Sequence, residues 1–126
     1  NNLAFVAGTE ALNQYWADGS LTEDVQRRAA VLEARLGALA EAYGAVARGR
    51  GFIQGLDFGV ARAHWGAAVS EAAFRRGLLI ETSGAHGQVV KSLASLTITD
   101  HQLADVLDRL LSAVAEVART HEEERR

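Results

Sequence analysis

The chain contains no cysteine, no methionine and no proline among its 126 residues, and aromatic side chains make up only 6% of it. Without a thiol there is neither a disulfide framework nor a thiolate metal site, which fits a reducing compartment and makes the cytoplasm the expected location. A field of one sign is missing too, because 16 acidic and 13 basic residues leave a formal net charge of −3 and are spread along the chain. Nothing would draw phosphates in at long range, so nucleic acid is not an expected partner. Nor is a membrane: Asn1 to Gly8 hold only a short apolar stretch with no basic start, neither a signal peptide nor a span. The missing methionine has its own consequence. The chain opens Asn1-Asn2-Leu3-Ala4, which is no ordinary ribosomal start, and a piece of a longer protein is expected. Proline is absent against a usual share of about 5%, and composition offers no reason for it.

What remains is 48% hydrophobic content over 126 residues, enough for one compact domain and too short for two of ordinary size. A single domain over residues 1–126 is therefore expected. Leu3, Ala4, Val6, Ala7, Ala11, Leu12 and Tyr15 recur at helical spacing until Asp18-Gly19-Ser20 breaks the run, so residues 2–17 read as a helix. Ser20 and Glu23 have capping-box spacing at the start of a second helix. Its stripe Val25, Ala29, Leu32, Leu36, Leu39 and Tyr43 spans under three heptads, which makes it a domain's core face and not a coiled coil. Gly44 stops it.

From Val46 to Phe58 the period changes, and the β-branched, aromatic and glycine residues point to two short strands or one bent strand. A third helix is expected over Val60 to Arg76 with Gly77 as its left-handed cap. Leu78 to Thr82 and Val89 to Leu93 read as strands joined by the turn Ser83 to Gly87. Leu96-Thr97-Ile98 reads as a last extended piece. Thr99 and Gln102 repeat the capping-box spacing before a helix carrying Leu103, Leu107, Leu110 and Val114, and Glu122 to Arg126 reads as a fraying charged tail. This order predicts an α+β fold: a small antiparallel or mixed sheet with helices largely on one side.

Few residues carry chemistry. Gly49-Arg50-Gly51 with Gly55 invites a phosphate-loop reading, but the pattern needs glycine where Gln54 stands, and strand bending explains these glycines better. His64, His86, His101 and His121 lack metal-ligand spacing, so no metal is expected. Ser83 and His86 make no triad without an orienting acid, and no hydrolase is expected. Lys91 is the only lysine. Desolvation could make it a Schiff-base former, its place beside Glu81 to Gly87 suits contact with a substrate carboxylate, and the residue pattern alone favours an edge-strand lysine that discourages aggregation.

Three segments together resemble the C-terminal part of class III aminotransferases, which depend on pyridoxal phosphate. Asn1-Asn2-Leu3-Ala4-Phe5-Val6 is similar to the stretch after that family's glycine-rich loop, whose threonine reaches the cofactor phosphate of the neighbouring subunit. Arg48 to Phe58 resembles the family's small-domain strand pair. Phe74 to Gly84, with Val89 to Leu93 and Leu96 to Thr99, resembles its last segment. The family's two prolines before the Leu-Thr-Ile strand are Ala94-Ser95 here. Within the family, Gln54-Gly55 and Glu81-Thr82-Ser83-Gly84 look closest to the diaminobutyrate–2-oxoglutarate branch of ectoine-type pathways, which exchanges an amino group between glutamate and aspartate semialdehyde.

The resemblance implies the fold of the small domain of fold-type I pyridoxal-phosphate enzymes. It implies Lys91, Thr82 and Ser83 as substrate-binding residues, and Asn1 and Asn2 beside the phosphate loop. It implies no catalytic residue in this segment, because the Schiff-base lysine belongs to a missing large domain. The implied partners are that domain, a second subunit and small amino and keto acids. The alternative is a free-standing structural or interaction module derived from a transaminase. A bare apolar packing face would favour the former.

Overall fold

The computed structural model describes residues 1–124. Among them α1 (Asn2–Tyr15), α2 (Ser20–Tyr43), β1 (Val46–Arg50), β2 (Ile53–Asp57), α3 (His64–Arg75), β3 (Glu81–Ser83), β4 (Val89–Leu93) and α4 (Asp100–Glu124) follow in order, with a 3-10 turn at Val60–Arg62. The fold is α+β. The strands form one sheet in the order β1-β2-β4-β3, and each neighbouring pair is antiparallel.

Alternation along the strands decides which face of the sheet is covered. Leu56 on β2 stands directly opposite Val90 on β4, and the two side chains are 1% and 2% exposed. They meet Leu32 and Leu36 of α2, Val69 and Ala72 of α3, and Leu107 and Val114 of α4 in one continuous core. Gln54 is the buried polar residue on this face. Its side-chain amide donates to the carbonyls of Gly51 (2.6 Å) and Ala29 (3.4 Å), joining the β1–β2 hairpin to α2. A glutamine in the place of a phosphate-loop glycine thus has a structural task. Close approach fixes Gly66, where a Cβ would stand 1.8 Å from the Gly87 carbonyl oxygen, so α3 and the turn before β4 touch backbone to backbone.

Several local expectations are corrected. The Ser20–Glu23 capping box does not form, because Asp18 Oδ1 accepts from the Ser20 N–H at 2.9 Å and draws Ser20 into the helix. The helix expected from Val60 begins at His64, since Asp57 Oδ1 accepts from the Gly59 N–H and bends the entry. The Arg62 guanidinium then turns back to the Tyr43 and Gly44 carbonyls at the end of α2, where a cation suits the exposed carbonyls. Leu78 to Ile80 lie outside the ladder, and the Ile80 carbonyl accepts instead from Ser70 Oγ. Leu96-Thr97-Ile98 is a turn and not a strand: Ser95 Oγ accepts from the Thr97 N–H and its carbonyl from the Ile98 N–H, a serine turn that competes with extended backbone. Thr99 and Gln102 do form their reciprocal cap. Helix α4 runs to Glu124, so Glu122 to Glu124 are helical, and Arg125 and Arg126 lie outside the described residues.

Ion pairs tie α4 to its neighbours. Asp100 accepts from Arg27 (3.1 Å) and Arg28 (2.8 Å) of α2, and Glu116 from Arg75 and Arg76 at the end of α3. Hydrogen bonds from Arg76 and then Arg75 hold the Glu116 carboxyl below its ordinary value of 4.5. A depressed carboxyl contributes stability that is complete above the ordinary value and is lost as pH falls through the lowered one.

Helix α1 is different in kind. Its N-terminus is capped by Asn1 Oδ1, which accepts from the Leu3 and Ala4 N–H groups, yet the helix buries none of its residues. Leu3 is 80% exposed and Phe5 76%, and Val6 and Leu12 are also bare. An isolated helix of this length is marginal in water without packing.

Two outcomes are expected. The 126-residue chain should bind a hydrophobic dye or self-associate, and Leu3→Ser with Phe5→Ser should abolish this; a dye-negative monomer would show that α1 has no sticky face. In acid unfolding followed by circular dichroism, Glu116→Gln should flatten the fall in stability below about pH 4.5; an unchanged slope would mean that Glu116 is unlinked to folding.

Candidate functional site

Residues directly opposite one another in an antiparallel pair share a face, so burying Leu56 and Val90 sends their neighbours to the other side. The register then assembles a row across the open face: Arg48 on β1 pairs with Gly55 on β2, Gly55 with Lys91 on β4, and Lys91 with Glu81 on β3. Lys91 Nζ lies 3.4 Å from Glu81 Oε2, with the lysine side chain one-third exposed and the glutamate 69% exposed. Arg48 Nε contacts Asp57 Oδ2 at 3.1 Å on the same face. Gly55 brings no side chain between the two cations, and it has no room for one: a Cβ there would sit 2.8 Å from the Val90 carbonyl oxygen. Around this polar row Ile53 is 67% exposed, Leu93 55% and Val46 49%. The open face therefore combines charged and apolar groups.

Lys91 is not an edge-strand lysine. β4 lies between β2 and β3, so its lysine guards no free edge and that reading is overturned. Ser83 shares the face, since it pairs with Val89, two residues from Lys91 on the same strand. Thr82 does not: it pairs with the buried Val90 and lines a shallow hollow with Ala67, Ser70 and Phe74 of α3. The structure thus brings Lys91 and Ser83 to one face and places Thr82 on the other. A cavity of about 280 Å³ adjoins the β3–β4 end of the sheet on its helix-covered side, lined by Leu32 of α2, Leu103, Leu107 and Leu110 of α4, and Leu78 and Ile80 among others. Its walls are largely apolar; Glu81 and Lys91 border it, while their paired side chains stand on the open face.

Glu81 is legible in the sequence as a strand residue at the start of the stretch beside Lys91, and not as its partner. The signal that would have found it is symmetry about the turn between β3 and β4: Glu81 and Lys91 are equidistant from His86, so a hairpin centred there sets opposite charges face to face. His86 itself is exposed. The fold also brings together the ring centroids of His64 and His121, 5.4 Å apart and beside Trp65. Among the described residues no group of three or more His, Cys, Asp or Glu could hold a metal.

The described residues do not fit pyridoxal phosphate as a complete site. The one lysine is held by Glu81, and Asn1 spends its side-chain oxygen on the first amides of α1, the donors a phosphate would otherwise take at a helix start. Asn2 is the first residue of that helix and is exposed. What the face can do by itself is receive a small anion at Lys91 beside a carboxylate.

Comparison with known proteins adds to this geometry. The family described as aminotransferase class-III matches residues 1–114. The diaminobutyrate–2-oxoglutarate transaminase of Bordetella parapertussis is 42% identical over 119 residues, covering 92% of this chain and 27% of that protein. The enzyme of the same name from Halomonas elongata is 41% identical over 114 residues, covering 86% of this chain and 27% of that protein. Among solved structures, N-acetylornithine aminotransferase from Stenotrophomonas maltophilia superposes with a TM-score of 0.73 at 28% identity, over 82% of this chain and 29% of that one. The chain thus spans about a quarter of the length of the curated relatives it matches, at 27% of each. With a family match from residue 1 to residue 114 and relatives above 40% identity along most of its length, the chain belongs to the class III aminotransferases.

Proposed function

We propose that the chain is the C-terminal small domain of a diaminobutyrate–2-oxoglutarate transaminase. The full protein would move an amino group between glutamate and aspartate semialdehyde, giving 2-oxoglutarate and 2,4-diaminobutyrate, as in ectoine-type pathways. The observation that carries this reading is the open sheet face bearing Lys91, in a chain 42% identical to a transaminase of that name. In this reading the face forms one wall of the active site, and Lys91 holds a substrate carboxylate with Ser83 on the same side. Thr82, on the opposite face, would shape the wall from behind. Asn1 and Asn2 would lie next to the loop that holds the cofactor phosphate.

Pyridoxal phosphate, the Schiff-base lysine and the pyridine partner would belong to a larger domain, so residues 1–126 alone would be inactive. The bare apolar side of α1 supports such a domain over a free-standing module, because exposed patches of this kind mark contact surfaces. A homodimer in the cytoplasm with the site at the subunit boundary completes the proposal.

The test is an assay of the full-length gene product with glutamate and aspartate semialdehyde. Diaminobutyrate should form with the full protein and not with residues 1–126 alone. Lys91→Met should raise the KM for carboxylate substrates about tenfold or more, the usual worth of a hydrogen bond to a charged group, with kcat changed less. A full-length protein that makes no diaminobutyrate would sink the reading, and an unchanged KM in Lys91→Met would remove Lys91 from the site.

A further inference from the structure

Carboxylate binding accounts for Lys91 and leaves Glu81 unexplained. A carboxylate held at 3.4 Å from the lysine competes with any substrate carboxylate for the same ammonium, and a site built for anions alone would do better without it. The competition becomes complementarity when the ligand is itself a zwitterion. An α-amino acid end carries a carboxylate and an ammonium one carbon apart. Set against a neighbouring lysine and glutamate, these charges form an alternating ring in which each group faces its opposite.

In the proposed reaction the aldehyde carbon of aspartate semialdehyde becomes the carbon bearing the transferred amine, so carbon 1 and carbon 2 keep their carboxylate and ammonium throughout. The reacting end and the recognised end are thus different ends of the molecule. Glutamate reacts at its α-amine and leaves two carboxylates but no second ammonium to be recognised, and 2-oxoglutarate has no ammonium at all. One ion pair serves both: Lys91 meets a carboxylate in every case, and Glu81 meets an ammonium only in the four-carbon substrates.

We propose that Glu81 is a specificity-determining residue, reading the α-ammonium of 2,4-diaminobutyrate and aspartate semialdehyde while Lys91 takes the adjoining carboxylate. The inference rests on the transaminase reading above. Two features of the structure favour it. Glu81 and Lys91 are directly opposite in register, so their side chains leave the sheet side by side. Glu81 is 69% exposed on its side chain, so its carboxylate is open to a ligand.

The experiment uses full-length holoenzyme and compares 2,4-diaminobutyrate with 4-aminobutyrate, the same molecule without the α-ammonium, and with glutamate. Glu81→Gln keeps the side-chain shape and removes the charge. It should lower kcat/KM for diaminobutyrate about tenfold, the scale of one charged hydrogen bond, and leave 4-aminobutyrate and glutamate unchanged or improved. Calorimetry on cofactor-free enzyme should show the same split in the dissociation constants of diaminobutyrate and 4-aminobutyrate. Equal losses for all substrates would mean that Glu81 only steadies Lys91, and no loss for any would mean that it touches neither; either result overturns the proposal. Wild-type enzyme that fails to turn over diaminobutyrate would instead remove the transaminase reading beneath it, an outcome visible before any substitution is made.

Discussion

The pairing of Leu56 with Val90 at the centre of the sheet is the constraint on which the rest depends. Both side chains are buried against α2, α3 and α4, and the side-chain period of a strand is two, so one residue of slippage would turn the core face outward. With that register held, Lys91 must leave β4 on the uncovered side. Gly55 must then lie between Lys91 and Arg48, and Glu81 must stand opposite Lys91. The chemistry of the open face is thus a consequence of where the core is. Helices on one side leave the other available, and the only lysine of the chain falls there by alternation.

The same division explains why α1 looks out of place. The core of α2, α3, α4 and the sheet closes on itself, with salt bridges from Asp100 and Glu116 across its helix contacts. Helix α1 contributes no buried residue to it, although Leu3, Phe5, Val6 and Leu12 are apolar and exposed. An exposed apolar helix face of this kind marks a contact surface, and the relatives are nearly four times as long as the matched segment. In the proposed reading, the open sheet face and α1 are the two surfaces on which the larger domain would act.

Much of the fold could be read from the sequence, because periodicity reports burial wherever an element packs within the chain. Leu32, Leu36 and Leu39 in α2, and Leu103, Leu107 and Leu110 in α4, are buried as their spacing requires. It failed where short polar side chains redirect the backbone. Asp18 takes Ser20 into its helix, and Ser95 folds the expected last strand into a turn; both act over two residues, below the window in which a hydrophobic pattern is visible. The site was legible in part. Lys91 stood out because it is unique, whereas Glu81 depended on strand register and the separation of Thr82 from Lys91 on sheet parity. Strand order also removed the edge-strand reading of Lys91, since nothing in β4 alone says which strands flank it.

The central claim is that the open face of the sheet is a wall of a substrate site and that Lys91 meets the substrate there. Lysine acylation of the full-length protein, mapped by mass spectrometry with and without 2-oxoglutarate, measures this directly. The account predicts that Lys91 is labelled in the free protein and protected when the dicarboxylate is present. Equal labelling in the two samples would contradict it, and would leave the Lys91–Glu81 pair as a surface ion pair of the fold.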